Sequence, residues 1–118
     1  YAETIEPLRE RLEQTPDDPE THLLYGTALA RTGAARVALW SLRKAAESED
    51  FTVPATLELA GAHTRSGNWT DAIAAADAVL ELEPDNLAAL MMRGEAHLNE
   101  GVALDLALAD FDAVLEAE

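Results

Sequence analysis

VPATLELAGAHTRSGNWTDAIAAADAVLELEPDN, residues 53–86, holds two amphipathic segments and the signals that separate them. In the first segment Leu57, Leu59, Ala60 and His63 fall at helical spacing, and the pattern stops at Ser66-Gly67. The second starts near Trp69, carries Ala72, Ile73, Ala76, Val79 and Leu80 on one stripe, and ends before Pro84. Proline ends it because it has no N–H to give and its ring clashes with the preceding turn. Neither helix has a second apolar layer of its own, so the pair is stable only with like neighbours on either side.

Those neighbours are present. Counting from Pro19, Gly26, Ala28, Gly33 and Ala38 stand where Ala60, Ala62, Gly67 and Ala72 stand from Val53, and from Leu87 the positions Gly94, Ala96, His97 and Gly101 fall in the same phase. Both shifts are 34 residues. Helix, turn, helix at that period, with Gly26, Ala60 and Gly94 in the eighth place, Ala38, Ala72 and Ala107 in the twentieth, Trp69 in the seventeenth, and Pro16 and Pro84 in the thirty-second, resembles the tetratricopeptide repeat. The small residues mark where the two helices of a repeat approach too closely for a larger side chain. The resemblance covers the whole chain and implies an all-α right-handed superhelix, an α-solenoid of stacked helix-turn-helix repeats with about seven helices. Residues 19–52, 53–86 and 87–118 form repeats in one repeat domain, and residues 1–18 form the second helix of a preceding one.

The 118 residues make one folding unit with a strip-shaped core. Cysteine is absent, which removes disulfides and thiolate metal sites and leaves the redox compartment open. No apolar run approaches the roughly 20 residues needed to span a bilayer and no basic-then-apolar leader opens the sequence, so a soluble protein without membrane insertion is expected. A net charge of −15 repels phosphate and argues against nucleic acid. The charge is uneven: residues 71–118 hold twelve acids and only Arg93, a net −11, and residues 1–70 carry −4. Three readings stay open: a solvated acidic face, a docking surface for a basic partner, and a salt-adapted composition.

In chain order, residues 1–16 align with a second helix that is expected to start close to Glu6, with Pro7 in its first turn and Leu8 and Leu12 on the core stripe. The chain is thus expected to be a piece of a longer array. Asp18 caps the next helix with Pro19 at its first place, and His22, Tyr25, Gly26 and Leu29 line its inward face. The following helix, about Ala35 to Ser48, lacks the closing proline, and Phe51 is expected to fill part of that gap. It carries Arg36, Trp40, Arg43 and Lys44 on one side, with Trp40 directed to the outer surface, either in a local cation–π cluster or as a partner contact. Asp85 or Asn86 caps the helix from Leu87. Gly94 and Ala107 are one step further apart than their counterparts, so Val102 to Leu106 holds one extra residue. Leu108, Phe111 and Leu115 on the final helix have no following helix to cover them, which makes self-association through this C-terminal helix a possibility.

Catalytic signatures are missing: no nucleophile elbow, phosphate-binding glycine loop or paired-histidine zinc helix occurs. No cofactor, no metal and no catalytic residue is expected, and the carboxylates are assigned to outer faces. His22, His63 and His97 occupy normally aromatic, inward places, where imidazole packs in place of a larger ring.

The resemblance implies that the concave wall of first helices binds a peptide or partner protein. Places facing that groove give Leu23, Leu57 and Met91, with Met92 beside them; Thr27, Gly61 and Glu95; Leu98; and Arg31 and Arg65. This is an apolar stripe with adaptable methionine at one end and two arginines alongside, suited to a segment with hydrophobic anchors and an acidic group. Some family members clamp a chaperone carboxyl terminus with lysine and asparagine, but Leu23, Thr27, Glu58 and Met92 occupy those places here. A protein-interaction scaffold is the leading expectation. A self-assembly module stacking through its end helices, or a regulatory arm of an enzyme whose catalytic domain lies elsewhere, are the alternatives.

Overall fold

The computed structural model describes residues 2–101 and 104–117. They form helices α1 (Ala2–Gln14), α2 (Pro19–Arg31), α3 (Ala35–Ala46), α4 (Thr52–Arg65), α5 (Trp69–Leu82), α6 (Leu87–Glu100) and α7 (Leu104–Ala117). No strand occurs among the described residues, so the all-α, seven-helix expectation holds. The helices gather into two compact units, Tyr1–Leu59 and Ala60–Glu118, with the division falling inside α4. In the first unit α2 packs against α1 and α3; in the second α6 packs against α5 and α7.

Local chemistry sets the helix ends. Asp18 caps α2 by accepting from the Thr21 amide at 3.3 Å and from the Thr21 hydroxyl, and Pro19 takes the first helical place. Of the two candidates at α6, Asn86 is the cap, its Oδ1 accepting from the Ala89 amide at 3.0 Å. The turns after α2 and α4 are built alike. Gly33 and Gly67 sit at φ of 92° and 74°, and the next amides, of Ala34 and Asn68, donate to the Leu29 and His63 carbonyls at 3.0 and 2.8 Å. Five-residue-back bonds across a left-handed glycine close the helix and reverse the chain. After α3, where the closing proline is missing, the half-buried Phe51 donates its amide to the Ser48 carbonyl, and the Thr52 hydroxyl donates to the carbonyls of Ala46 and Ser48.

One boundary differs from the sequence reading. The first helix starts at Ala2 and not near Glu6, so Pro7 lies inside it. The apolar stripe continues across the proline: half-buried Ile5, buried Leu8 and half-buried Leu12 fall at steps of three and four on the side packed against α2. Pro7, the sixth residue of the helix, has no N–H to donate to the Glu3 carbonyl, so one backbone bond is missing there.

Alanine dominates the core. Ala38, Ala45 and Ala55 with Leu42 are fully buried in the first unit, and Ala60, Ala72, Ala76, Ala89, Ala96 and Ala107 with Val79 in the second. The eighth-place glycines are points of closest approach. A Cβ on Gly26 would stand 2.7 Å from Leu42 Cγ, and one on Gly94 would stand 2.8 Å from Phe111 Cε1. The first pair is separated by 16 positions and the second by 17, which is the extra residue of the last repeat expressed as a contact. The turn expected to hold that residue includes positions 102 and 103, outside the described residues.

Candidate functional site

The groove residues of the first unit lie on α2 and α4. Leu23, Thr27 and Arg31 recur every fourth residue along one face of α2, the first two half-buried and Arg31 exposed. Arg31 reaches across to Glu58 of α4 in an ion pair at 3.5 Å, beside half-buried Leu57. The two first helices are therefore neighbours at this edge, and Arg31 is already engaged.

In the second unit Gly61 and Arg65 belong to α4, with the Arg65 guanidinium folded back to within 3.6 Å of where a Gly61 Cβ would be. On α6, Met91 and Leu98 are 39% and 51% exposed, and Leu87, one turn earlier, is 41% exposed. With exposed Glu95 they form an outward apolar stripe interrupted by one carboxylate. Met92, about 100° further round the helix, is half-buried and stands apart from that stripe.

The opposite face of α6 carries a feature absent from the sequence reading. Arg93 grips Asp110 of α7 with two parallel bonds, Nε to Oδ2 at 2.9 Å and Nη2 to Oδ1 at 2.6 Å, and extends Nη1 to Asp77 Oδ1 of α5 at 2.8 Å. Asp110 is 5% exposed, which corrects the assignment of the carboxylates to outer faces. The hydrogen bonds that Arg93 donates to Asp110, with the one it donates to Asp77, raise its pKa above the ordinary value against the opposing effect of burial. A seventh-place residue was the available signal: Tyr25 and Leu59 occupy it in the other repeats, and an arginine there needs a buried acid.

Among the three inward histidines, His22 is 2% exposed and its Nε2 lies 2.6 Å from the Pro16 carbonyl, so that nitrogen carries the proton. Its ring meets Trp40 edge to face, centroids 5.4 Å apart, and Lys44 Nζ lies 5.9 Å from the same indole. Trp40 is 55% exposed, and its local cation–π partner is a lysine. No cluster of three or more potential metal ligands occurs among the described residues. Nor is any described helix long and apolar enough to cross a membrane.

Residues 57–118, just over half of the sequence, match a family model described as tetratricopeptide repeat. The chain belongs to the tetratricopeptide repeat family. Its tetratricopeptide fold is similar to that in two crystal structures of MamA. The first superposes with a TM-score of 0.88 at 22% identity, covering 98% of this chain and 62% of MamA. The second gives 0.87 at 22%, covering 95% and 65%. The chain spans less than two thirds of these neighbours, and at such identity the likeness concerns the fold alone. No curated protein matches it. Tetratricopeptide repeats in general mediate protein–protein contacts, and proteins built from them are typically non-catalytic scaffolds.

Proposed function

We propose that this chain is a protein-interaction scaffold whose first helices hold a segment of a partner protein. The observation that carries the reading is the stripe on α6: Leu87, Met91 and Leu98 hold 39–51% of their surface in water on a helix whose other faces are packed against α5 and α7. Apolar side chains displayed in a row on a rigid helix favour an amphipathic or extended ligand with matching anchors, and methionine adapts to their shape. Leu23, Thr27 and Leu57 supply a shallower surface of the same kind in the first unit. Arg65 is the group for an acidic residue of the ligand, since Arg31 is held by Glu58.

The test is a displayed library of random peptides selected on the whole chain. Selected peptides are expected to share two or more large apolar residues and to lose binding to a Met91→Asp/Leu98→Asp protein. Because both positions are exposed, that protein should melt within the ±0.5 kcal/mol typical of surface changes. Peptides that still bind the double variant would remove this surface from consideration.

A further inference from the structure

Two surfaces of opposite charge are left open, and neither belongs to the first-helix stripe. One is the outer side of α3. Arg36, Val37, Trp40, Arg43 and Lys44 lie within nine positions on one side of the helix, and α3 contains no acid. Val37 is 49% and Trp40 55% exposed. Neither Arg36 nor Arg43 pairs with a carboxylate among the described residues. Three of the chain's eight basic side chains stand on this helix, around an indole whose orientation is fixed by the His22 edge at 5.4 Å.

The other is a cleft of about 340 Å3 in the second unit. Ile73, Leu106 and Ala109 give it an apolar wall, with Leu106 itself 55% exposed. Asp77, Arg93, Asp110 and the imidazole of His97 form its polar side. Asp110 spends both oxygens on Arg93, whereas the half-exposed Asp77 spends one and keeps the other open. Exposed Glu81 stands one turn beyond Asp77 on α5. One arginine between two carboxylates leaves the cleft negative, in a unit that holds twelve acids against Arg65 and Arg93.

We infer that the basic, tryptophan-bearing side of α3 in one copy of the chain docks on the acidic cleft of a second copy. Trp40 and Val37 supply apolar surface for the wall of Ile73, Leu106 and Ala109, and the α3 cations face the open Asp77 oxygen and Glu81. Tryptophan and arginine are the side chains that most often dominate an interface when water is excluded around them. The repulsion expected of a chain of net charge −15 acts mainly at long range. At an ionic strength near 0.15 M the Debye length is about 8 Å, so the contacting patches decide the outcome. Each copy carries both halves, which makes the contact heterologous.

Sedimentation equilibrium of the whole chain across concentration tests this. The average mass of the wild type should rise above that of the monomer, and Arg43→Glu and Leu106→Arg should each weaken association about tenfold or more, the scale of a lost charged interface contact. Mixing the two variants in equal amounts should restore a one-to-one dimer, because each keeps the surface that the other has lost. Circular dichroism checks that both remain helical; if either does not, Arg36→Glu and Ala109→Arg, also at exposed positions, replace them. A wild type that stays monomeric throughout overturns the inference. So does association that survives both substitutions, or a mixture that remains monomeric. Met91→Asp/Leu98→Asp, on the other face of α6, should leave association unchanged, which separates this contact from the first-helix surface.

Discussion

Arg93 and Asp110, 17 positions apart on α6 and α7, meet in a two-bonded ion pair whose carboxylate is only 5% exposed. A guanidinium presents its donors in a planar fork that matches the two carboxylate oxygens, and burial makes the loss of either partner expensive. The pair bridges the two helices of the last repeat at the same level as the contact of Gly94 with Phe111. It thus joins the two helices of the last repeat with charge beside that apolar contact.

Arg93→Ala should therefore cost about 2–4 kcal/mol, because Asp110 is left buried without its partner. Asp77→Asn should cost less than about 1 kcal/mol, since that carboxylate is half exposed and its contact is screened. Arg93→Lys should fall between, keeping the charge and losing the fork. Urea unfolding of the three variants checks the order. Equal losses for Arg93→Ala and Asp77→Asn would show that the buried pair contributes nothing special.

The cap of α2 gives a pH dependence. The hydrogen bond from the Thr21 hydroxyl, with the amides of Thr21 and Glu20 and the charge of Arg11, outweighs desolvation and holds Asp18 below its ordinary value of 3.8. A carboxylate depressed in the folded state contributes stability that is fully present above the unfolded value and lost as pH falls through the lower, folded one. Melting of the wild type and of Asp18→Ser should therefore run parallel at neutral pH and converge or cross below pH 3.8, because serine caps without titrating. A constant difference across the acid range would mean that the cap is not the titrating element.

The repeat was legible because its strongest constraint is steric and local to a position. Gly26, Ala60 and Gly94 record helix approach directly, and a 34-residue spacing cannot survive many alternative folds. Pro7 does not mark a helix start because the apolar stripe of Ile5, Leu8 and Leu12 runs past it, and packing of that stripe outweighs the local preference of proline for a first turn. The Arg93 cluster was harder to read: its partners lie 16 and 17 positions away on two other helices, and charge alone suggested solvent. Only the repeat phase, which puts arginine where Tyr25 and Leu59 stand, carried the information. Exposure on α6 followed from the phase for Met91 and Leu98, whereas half-buried Leu57 and Met92 depended on neighbours that the pattern did not specify.

Glycine in helix interiors gives the sharpest test of the packing, since the same substitution should act in opposite directions at two places. Relative to alanine, glycine costs a helix roughly 0.5–1 kcal/mol. At Gly61 an added Cβ meets nothing closer than the Arg65 guanidinium at 3.6 Å, an ordinary contact with the movable end of a side chain. Gly61→Ala should accordingly stabilise the protein by about that amount. At Gly26 the added Cβ would stand 2.7 Å from Leu42 Cγ and 3.2 Å from the Ala38 carbonyl oxygen. Leu42 is fully buried, and its Cγ cannot move away without shifting the whole side chain, while the carbonyl belongs to the backbone of α3. Overpacking of this kind costs about 1–3 kcal/mol, more than the propensity gain, so Gly26→Ala should destabilise. Gly94→Ala should lie between, because the atoms it meets are the outer edge of the half-buried Phe111 ring. Thermal melts of the three single variants decide the matter: a stabilising Gly26→Ala would mean that α2 and α3 do not approach as closely as the eighth place requires.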